Sequence, residues 1–182
     1  MAPEPIPTNV DQVTPPGRGG RPSLLRIALC AAALAILASS SGLIAQTQDR
    51  AIGTWTLNVA KSKYAPGPPP RSLTIKYEAA GRGVRVTTRG EEADGRPIRI
   101  EYVANYDGKN WPVTGAPDYD TVVLRVIDAS TVEITRKRIG LVVQTVRRVV
   151  SKDGNALTTV TTGVDGAGRH VKEVAVFDRQ QP

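Results

Sequence analysis

The chain has 182 residues, 40% of them hydrophobic and 23% charged, with a formal net charge of +7. This is globular composition at a length that suits one folded domain plus a shorter attachment, and with aromatics at only 4% the core must be built from Val, Ile and Leu. One cysteine, Cys30, and one histidine, His170, exclude an internal disulfide and a Cys/His metal site.

Residues 1–22 are rich in Pro, Gly and polar residues and are expected to be disordered. Arg18, Arg21 and Arg26 lead into an apolar run, Ile27 to Ala38, followed by small residues, which is the layout of a secretory signal peptide. Cleavage after Ala45 fits best, with a site near Ser40 as the alternative. Cys30 makes a poor lipid-anchor cysteine, because Leu29 precedes it and it sits near the start of the apolar run. A second reading keeps residues 27–45 as a membrane anchor, although the span is short and carries Ser39, Ser40 and Ser41. On either reading residues 46–182 form the folded domain in a periplasmic or extracellular, oxidising compartment, and cleavage would remove Cys30. The first 45 residues hold three Arg against Glu4 and Asp11, so residues 46–182 carry +6.

From Ala51 onward the pattern is that of strands. In SLTIKYE, Leu73, Ile75 and Tyr77 alternate with Thr74, Lys76 and Glu78; in PIRIEYVAN, Ile98, Ile100 and Tyr102 alternate with Arg99, Glu101 and Val103. Asp94-Gly95, Asp107-Gly108, Asp153-Gly154 and Asp165-Gly166 suit positive-φ hairpin turns. Four further breaks, at Gly81–Gly83, Gly115–Pro117, Asp128–Ser130 and Gly140, complete the meander. The pattern predicts strands near 53–59, 72–79, 84–89, 97–105, 109–113, 120–127, 131–139, 141–151, 155–162 and 170–178. An open meander of this length would leave two exposed edges. Closure removes them, so the expected fold is all-β: a single antiparallel up-and-down barrel of about ten strands, too wide for side chains to fill completely.

Gly53-Thr54-Trp55, opening the first strand, resembles the G-x-W signature of the calycin group, which includes the lipocalins and the fatty-acid-binding proteins. The resemblance spans residues 51–180 in size and strand order. It implies that Gly53 and Trp55 close the bottom of the barrel and that Arg179 packs over the Trp55 indole, a cation–π contact. GTWTLNVAKSKY and SLTIKYE are also similar to a bacterial group of secreted proteins of unassigned function. Two departures stand out. Pro66, Pro68, Pro69 and Pro70 exclude the helical lid of fatty-acid-binding proteins and favour an extended crossing. Where those proteins hold a lipid carboxylate with an Arg-x-Tyr pair, this chain has Ala175 and Phe177.

Candidate ligand contacts follow from parity. If Val132 and Ile134 face inward, so do Arg136 and Arg138; if Val142 and Val146 do, so do Gln144 and Arg148. Arg136, Gln144 and Arg148 would then form a polar strip able to hold an anionic head group; the plainer alternative has these arginines in solvent. Trp55, Tyr77 and Tyr102 are candidate lining residues, the tyrosines more often simply core in such a setting, and Trp111 is a candidate either for a rim contact or for covering the barrel end. On the outer face Arg125, Glu133 and Arg147 suit a cross-strand charge ladder.

His170, at a turn, is expected to be exposed, and Asp118 and Asp120 lack the further oxygens a calcium site needs. Ser62, Ser72, Ser130 and Ser151 lie in no G-x-S-x-G setting. No catalytic residue, cofactor or metal is expected. The leading functional reading is a non-enzymatic, exported binding protein that holds a small apolar or amphipathic molecule inside the barrel. The alternative is a surface module whose outer basic residues, Arg136 to Arg138, Arg147, Arg148 and Lys152, meet anionic lipid or envelope polymer. Nucleic acid is not an expected partner, because aromatic stacking platforms are too few.

Overall fold

The alternating segments form ten antiparallel strands in a computed structural model that describes residues 49–181. They are β1 Gly53–Leu57, β2 Ser72–Ala80, β3 Gly83–Glu91, β4 Pro97–Asn105, β5 Trp111–Thr114, β6 Thr121–Val126, β7 Thr131–Arg138, β8 Leu141–Val150, β9 Ala156–Val164 and β10 His170–Arg179. Each strand pairs with its neighbours in the chain, and β1 pairs with β10 to close the barrel. The architecture is the closed, antiparallel up-and-down barrel expected. Among the described residues the only helical element is a 3-10 turn, Val59–Lys61, so there is no helical lid. The signal peptide, the anchor alternative and Cys30 lie outside the described residues.

The first strand has five residues and the last has ten, and only Leu57, Thr56 and Trp55 pair with β10. The segment after β1 covers what remains of the β10 edge. Asn58 N donates to Val176 O (2.8 Å), Lys63 and Val174 exchange two bonds (2.7 and 2.8 Å), and Lys172 N donates to Ala65 O (2.8 Å). The proline run that follows crosses the top of the barrel to β2.

The Asp-Gly turns take positive φ at Gly95, Gly108 and Gly154, as expected, and at Gly168 in place of Gly166. The β3–β4, β8–β9 and β9–β10 connections are longer than a two-residue hairpin loop, and the aspartate side chain folds back onto the backbone. Asp94, Asp107, Asp153 and Asp165 accept from the N–H of Arg96 (3.1 Å), Lys109 (3.0 Å), Asn155 (3.1 Å) and Ala167 (3.0 Å). Asp128 does the same for Ser130 N (2.8 Å) without a following glycine. This is the Asx-turn chemistry of a short acceptor two residues before its donor.

The lower end is sealed. Trp55 is fully buried, and its indole N–H donates to Ala51 O (2.7 Å). The Arg179 guanidinium lies 4.2 Å from the Trp55 ring centroid. It donates to Gly154 O (2.6 Å), Ile52 O (2.8 Å) and Arg50 O (2.8 Å), tying the β8–β9 loop and the approach to β1 to the last strand. Gly53 has a φ of 133°, and a Cβ there would stand 2.5 Å from Arg179 Nη1. The glycine of G-x-W is therefore the space into which the arginine fits.

Beside this seal lies a buried ion pair. Arg148, 1% exposed, donates from Nη2 to both Asp49 oxygens (2.8 and 2.7 Å), and Tyr106 Oη donates to the same carboxylate. The other face of the guanidinium lies 4.9 Å from the Tyr77 ring centroid. Asp49 also accepts from Ala51 N (2.9 Å), so the residues just before β1 plug the barrel's lower end.

Gly53→Ala should lower unfolding stability by about 1–3 kcal/mol, because the new Cβ both strains the backbone and displaces Arg179. An unchanged urea midpoint would show that the seam does not depend on this approach. Asp49→Asn should cost about 3–5 kcal/mol by leaving Arg148 charged and unpaired, whereas Asp49→Leu combined with Arg148→Met should recover most of that loss. The comparison is read by urea unfolding of both variants.

Candidate functional site

Above the seal the barrel is not filled. A cavity of about 530 Å³ occupies its upper half, within the range of about 300–1,000 Å³ that holds one small molecule. It opens where the proline strap, the β3–β4 loop, residues 117–118 and the β9–β10 loop meet. Period two on each strand makes the wall: Ile75 and Tyr77 from β2, Val86 from β3, Ile100 and Tyr102 from β4 and Val146 from β8 all face in.

Charged residues of the loops, Glu92, Arg96, Asp118, Asp165 and Arg169, ring the mouth, and two more, Arg136 and Glu173, stand on the strands among these apolar side chains. On β7, Arg136 is opposite Gln144 of β8 in the sheet register. Arg136 Nη1 donates to Gln144 Oε1 (2.8 Å), and the guanidinium lies 4.6 Å from the Tyr119 ring centroid. Gln144 is itself held by its donation to Val164 O (3.2 Å). Arg136 forms no ion pair among the described residues, so a fixed guanidinium faces the cavity with donors to spare. On β10, Glu173 also lines the cavity, half-buried and likewise without an ion-pair partner among the described residues. Burial pushes its carboxyl above the ordinary glutamate value; Arg136 opposes this, while Glu92 and Asp118 add to it. Burial also raises Tyr77 and Tyr102, so both phenols stay neutral.

The structure brings Tyr77, Tyr102, Arg136 and Gln144 together on the cavity wall. Trp55 and Arg148 lie beneath it and do not line it, because Arg179 covers the first and Asp49 engages the second. Gly53, Trp55 and Arg179 meet at the closed end. Arg138 leaves the inward row. The register slips between Arg136 and Lys137, where β8 carries the extra residue Val143, and Arg138, exposed at the last position of β7, donates to Pro117 O (3.2 Å) at the mouth. With Arg136 and Arg148 facing inward, the basic outer face loses two of its expected members. Arg125, Glu133 and Arg147 are cross-strand neighbours in register but form no ion pair. Trp111 donates to Asp107 Oδ1 (3.0 Å) at the lower end, away from the mouth.

His170 is exposed opposite Val164 at the start of β10, outside the cavity. Asp118 accepts from Gly166 N (2.9 Å) and Asp120 from Ile139 N (2.8 Å), so both carboxylates fasten loops. No group of three or more His, Cys, Asp or Glu suited to a metal occurs among the described residues. Sequence reasoning missed Asp49, Glu173 and Tyr119. Glu173 was open to discovery, since it shares the parity of Val171 and Ala175 on β10.

No protein-family model matches the chain, nor does any of the curated proteins compared with it. Among solved structures it is similar to zebrafish ileal bile acid-binding protein complexed with cholic acid, at 13% identity and a TM-score of 0.47, over 72% of this chain and 99% of that one. Two redesigned β-barrels bound to DFHBI are also similar. One has 14% identity and a TM-score of 0.38 over 71% of this chain and 95% of the other; the second has 15% and 0.37 over 71% and 99%.

Because the folded-state pKa of Glu173 is raised, its contribution to stability is complete below about pH 4.3, the ordinary glutamate value, and is lost as pH rises through the folded value. Glu173→Gln should therefore unfold at a higher temperature than wild type at pH 7–8, with the difference vanishing below about pH 4. Thermal scans of both proteins across this range decide it; coincident curves at every pH would remove the buried charge from the account.

Proposed function

We propose that this barrel is a non-enzymatic, exported binding protein that holds one small amphipathic molecule in its cavity, with an acidic or acceptor-rich end at Arg136. The observation that carries the reading is the setting of Arg136. A guanidinium is stacked on Tyr119 and braced by Gln144 beside an open cavity of mixed polarity, with no carboxylate in ion-pair contact among the described residues. A structural arginine in a barrel interior would be expected to resemble Arg148, matched to an acid and sealed from the cavity. Ile75, Val86, Ile100 and Val146 supply the surface for the molecule's apolar body. Export rests on the signal-like leader, whose cleavage after Ala45 would leave residues 46–182 without a cysteine.

Binding to an outer basic face is the weaker reading, since Arg136 and Arg148 are withdrawn from that face.

Native mass spectrometry of residues 46–182, purified from the native compartment, should show a bound small molecule at near-unit stoichiometry. In titrations with the fluorescent anion 1-anilinonaphthalene-8-sulfonate, Arg136→Met should weaken binding by roughly tenfold to a hundredfold, the worth of a hydrogen bond to a charged group. A clean apo mass together with equal probe affinity for both proteins would overturn the proposal.

A further inference from the structure

The β7–β8 turn presents the most exposed aliphatic residues of the barrel. Ile139 is 86% exposed, Leu141 73% and Val142 60%. Ile139 has a φ of 51° and is the one non-glycine residue with positive φ among the described residues. Gly140 follows at 79°. Two successive positive φ values make the kind of turn in which Asn-Gly is favoured, and a β-branched residue there is a steric outlier. A strained, apolar choice thus stands where an unstrained, polar one would serve the fold.

The tip also projects. Pairing between β8 and β9 begins at Gln144 and Gly163, so Leu141 and Val142 pair with β7 alone. Arg138 fastens the base of the tip to Pro117, a residue of the cavity mouth. Lys137 and Arg138 precede the tip, and neither forms an ion pair.

We infer that the β7–β8 tip, Ile139 to Val142, inserts into the surface of an anionic lipid bilayer and brings the mouth of the barrel against it. Three aliphatic side chains on a narrow projection expose far less than the about 800 Å² per partner of an ordinary protein interface. They do suit the interface of a bilayer, where apolar groups enter the acyl boundary and neighbouring Lys and Arg reach back to phosphates. The other exposed aliphatic pair, Val126 (57%) and Ile127 (50%), lies at the closed end, on the β6–β7 turn. It serves as an internal control.

The inference does not rest on a loaded cavity, so it is tested without ligand. Residues 46–182 are mixed with vesicles of phosphatidylcholine containing 30% phosphatidylglycerol, and binding is read by co-sedimentation. Ile139→Gly with Leu141→Ser should weaken vesicle binding at least tenfold. Gly accepts the positive φ, so thermal stability should hold or rise in the same protein, which separates lost contact from lost folding. Val126→Ser with Ile127→Ser should bind as wild type does. The inference is overturned if wild type does not bind, if the tip variant binds within twofold of it, or if the closed-end variant is the one that fails. A lipid-free dimer that the tip variant abolishes and vesicles do not dissociate would also overturn it, in favour of a second copy of this chain.

Discussion

A barrel closes only if its first and last strands can cover one another, and here they are unequal. Seven of the ten β10 residues lie beyond the reach of β1 and would expose a row of unpaired backbone groups. The stretch from Asn58 to Ala65 resolves this by running beside β10 and exchanging hydrogen bonds with Val176, Val174 and Lys172. Ser62 adds its hydroxyl, accepting from Val176 N at 3.0 Å. This explains why strand alternation stops after Leu57. The segment has to supply backbone donors and acceptors to an edge, not a face to the core. The prolines come only once that edge is covered, where missing N–H groups leave nothing unsatisfied.

The same closure divides the interior in two. Below, Trp55, Arg179, Arg148 and Asp49 fill and neutralise the space. Above, no comparable plug exists, and the wall residues are too short to meet across the barrel. The two inward arginines of adjacent strands illustrate the division. Arg148 meets a carboxylate and is almost wholly buried, although its Nε and Nη1 find no acceptor. Arg136, nearer the mouth, meets only an amide and a ring. Similar side chains come to serve the seal in one place and the cavity in the other because Asp49 reaches only the lower one.

Much of this was legible in the sequence. The strands lie close to the expected spans because period two and turn residues act locally, and Arg136 falls opposite Gln144 because a short turn leaves the register little freedom. What was not legible depended on tertiary contact. Asp49 stands before the first strand, in no pattern, and acquires its role only when β8 brings Arg148 to it. The extra residue Val143 on β8 has no signature, so parity carried Val142 inward on paper while the structure leaves it exposed, and Arg138 at the end of β7 stops at the rim on Pro117 O. The Asp-Gly pairs marked turns correctly, but the aspartate does much of the work. At the last of them positive φ falls on Gly168, while Gly166 is needed because a Cβ there would stand 2.5 Å from Asp118 Oδ1.

The position of Glu173 adds a constraint on what the cavity accepts. It lines the same space as Arg136 and feels that charge, yet the two form no ion pair, so each keeps polar atoms free for a ligand. Glu92 and Asp118 lie near enough to oppose its ionisation further. Under the proposed function, a molecule with its acceptor end at Arg136 meets an acidic region elsewhere in the cavity. A second acidic group placed there would face like charge in a poorly solvated space, whereas a hydroxyl or amine would find an acceptor. The polarity of the cavity thus favours a ligand that carries both an acceptor and a donor over a plain hydrocarbon or a diacid, and it does so through two residues on different strands that form no ion pair with each other.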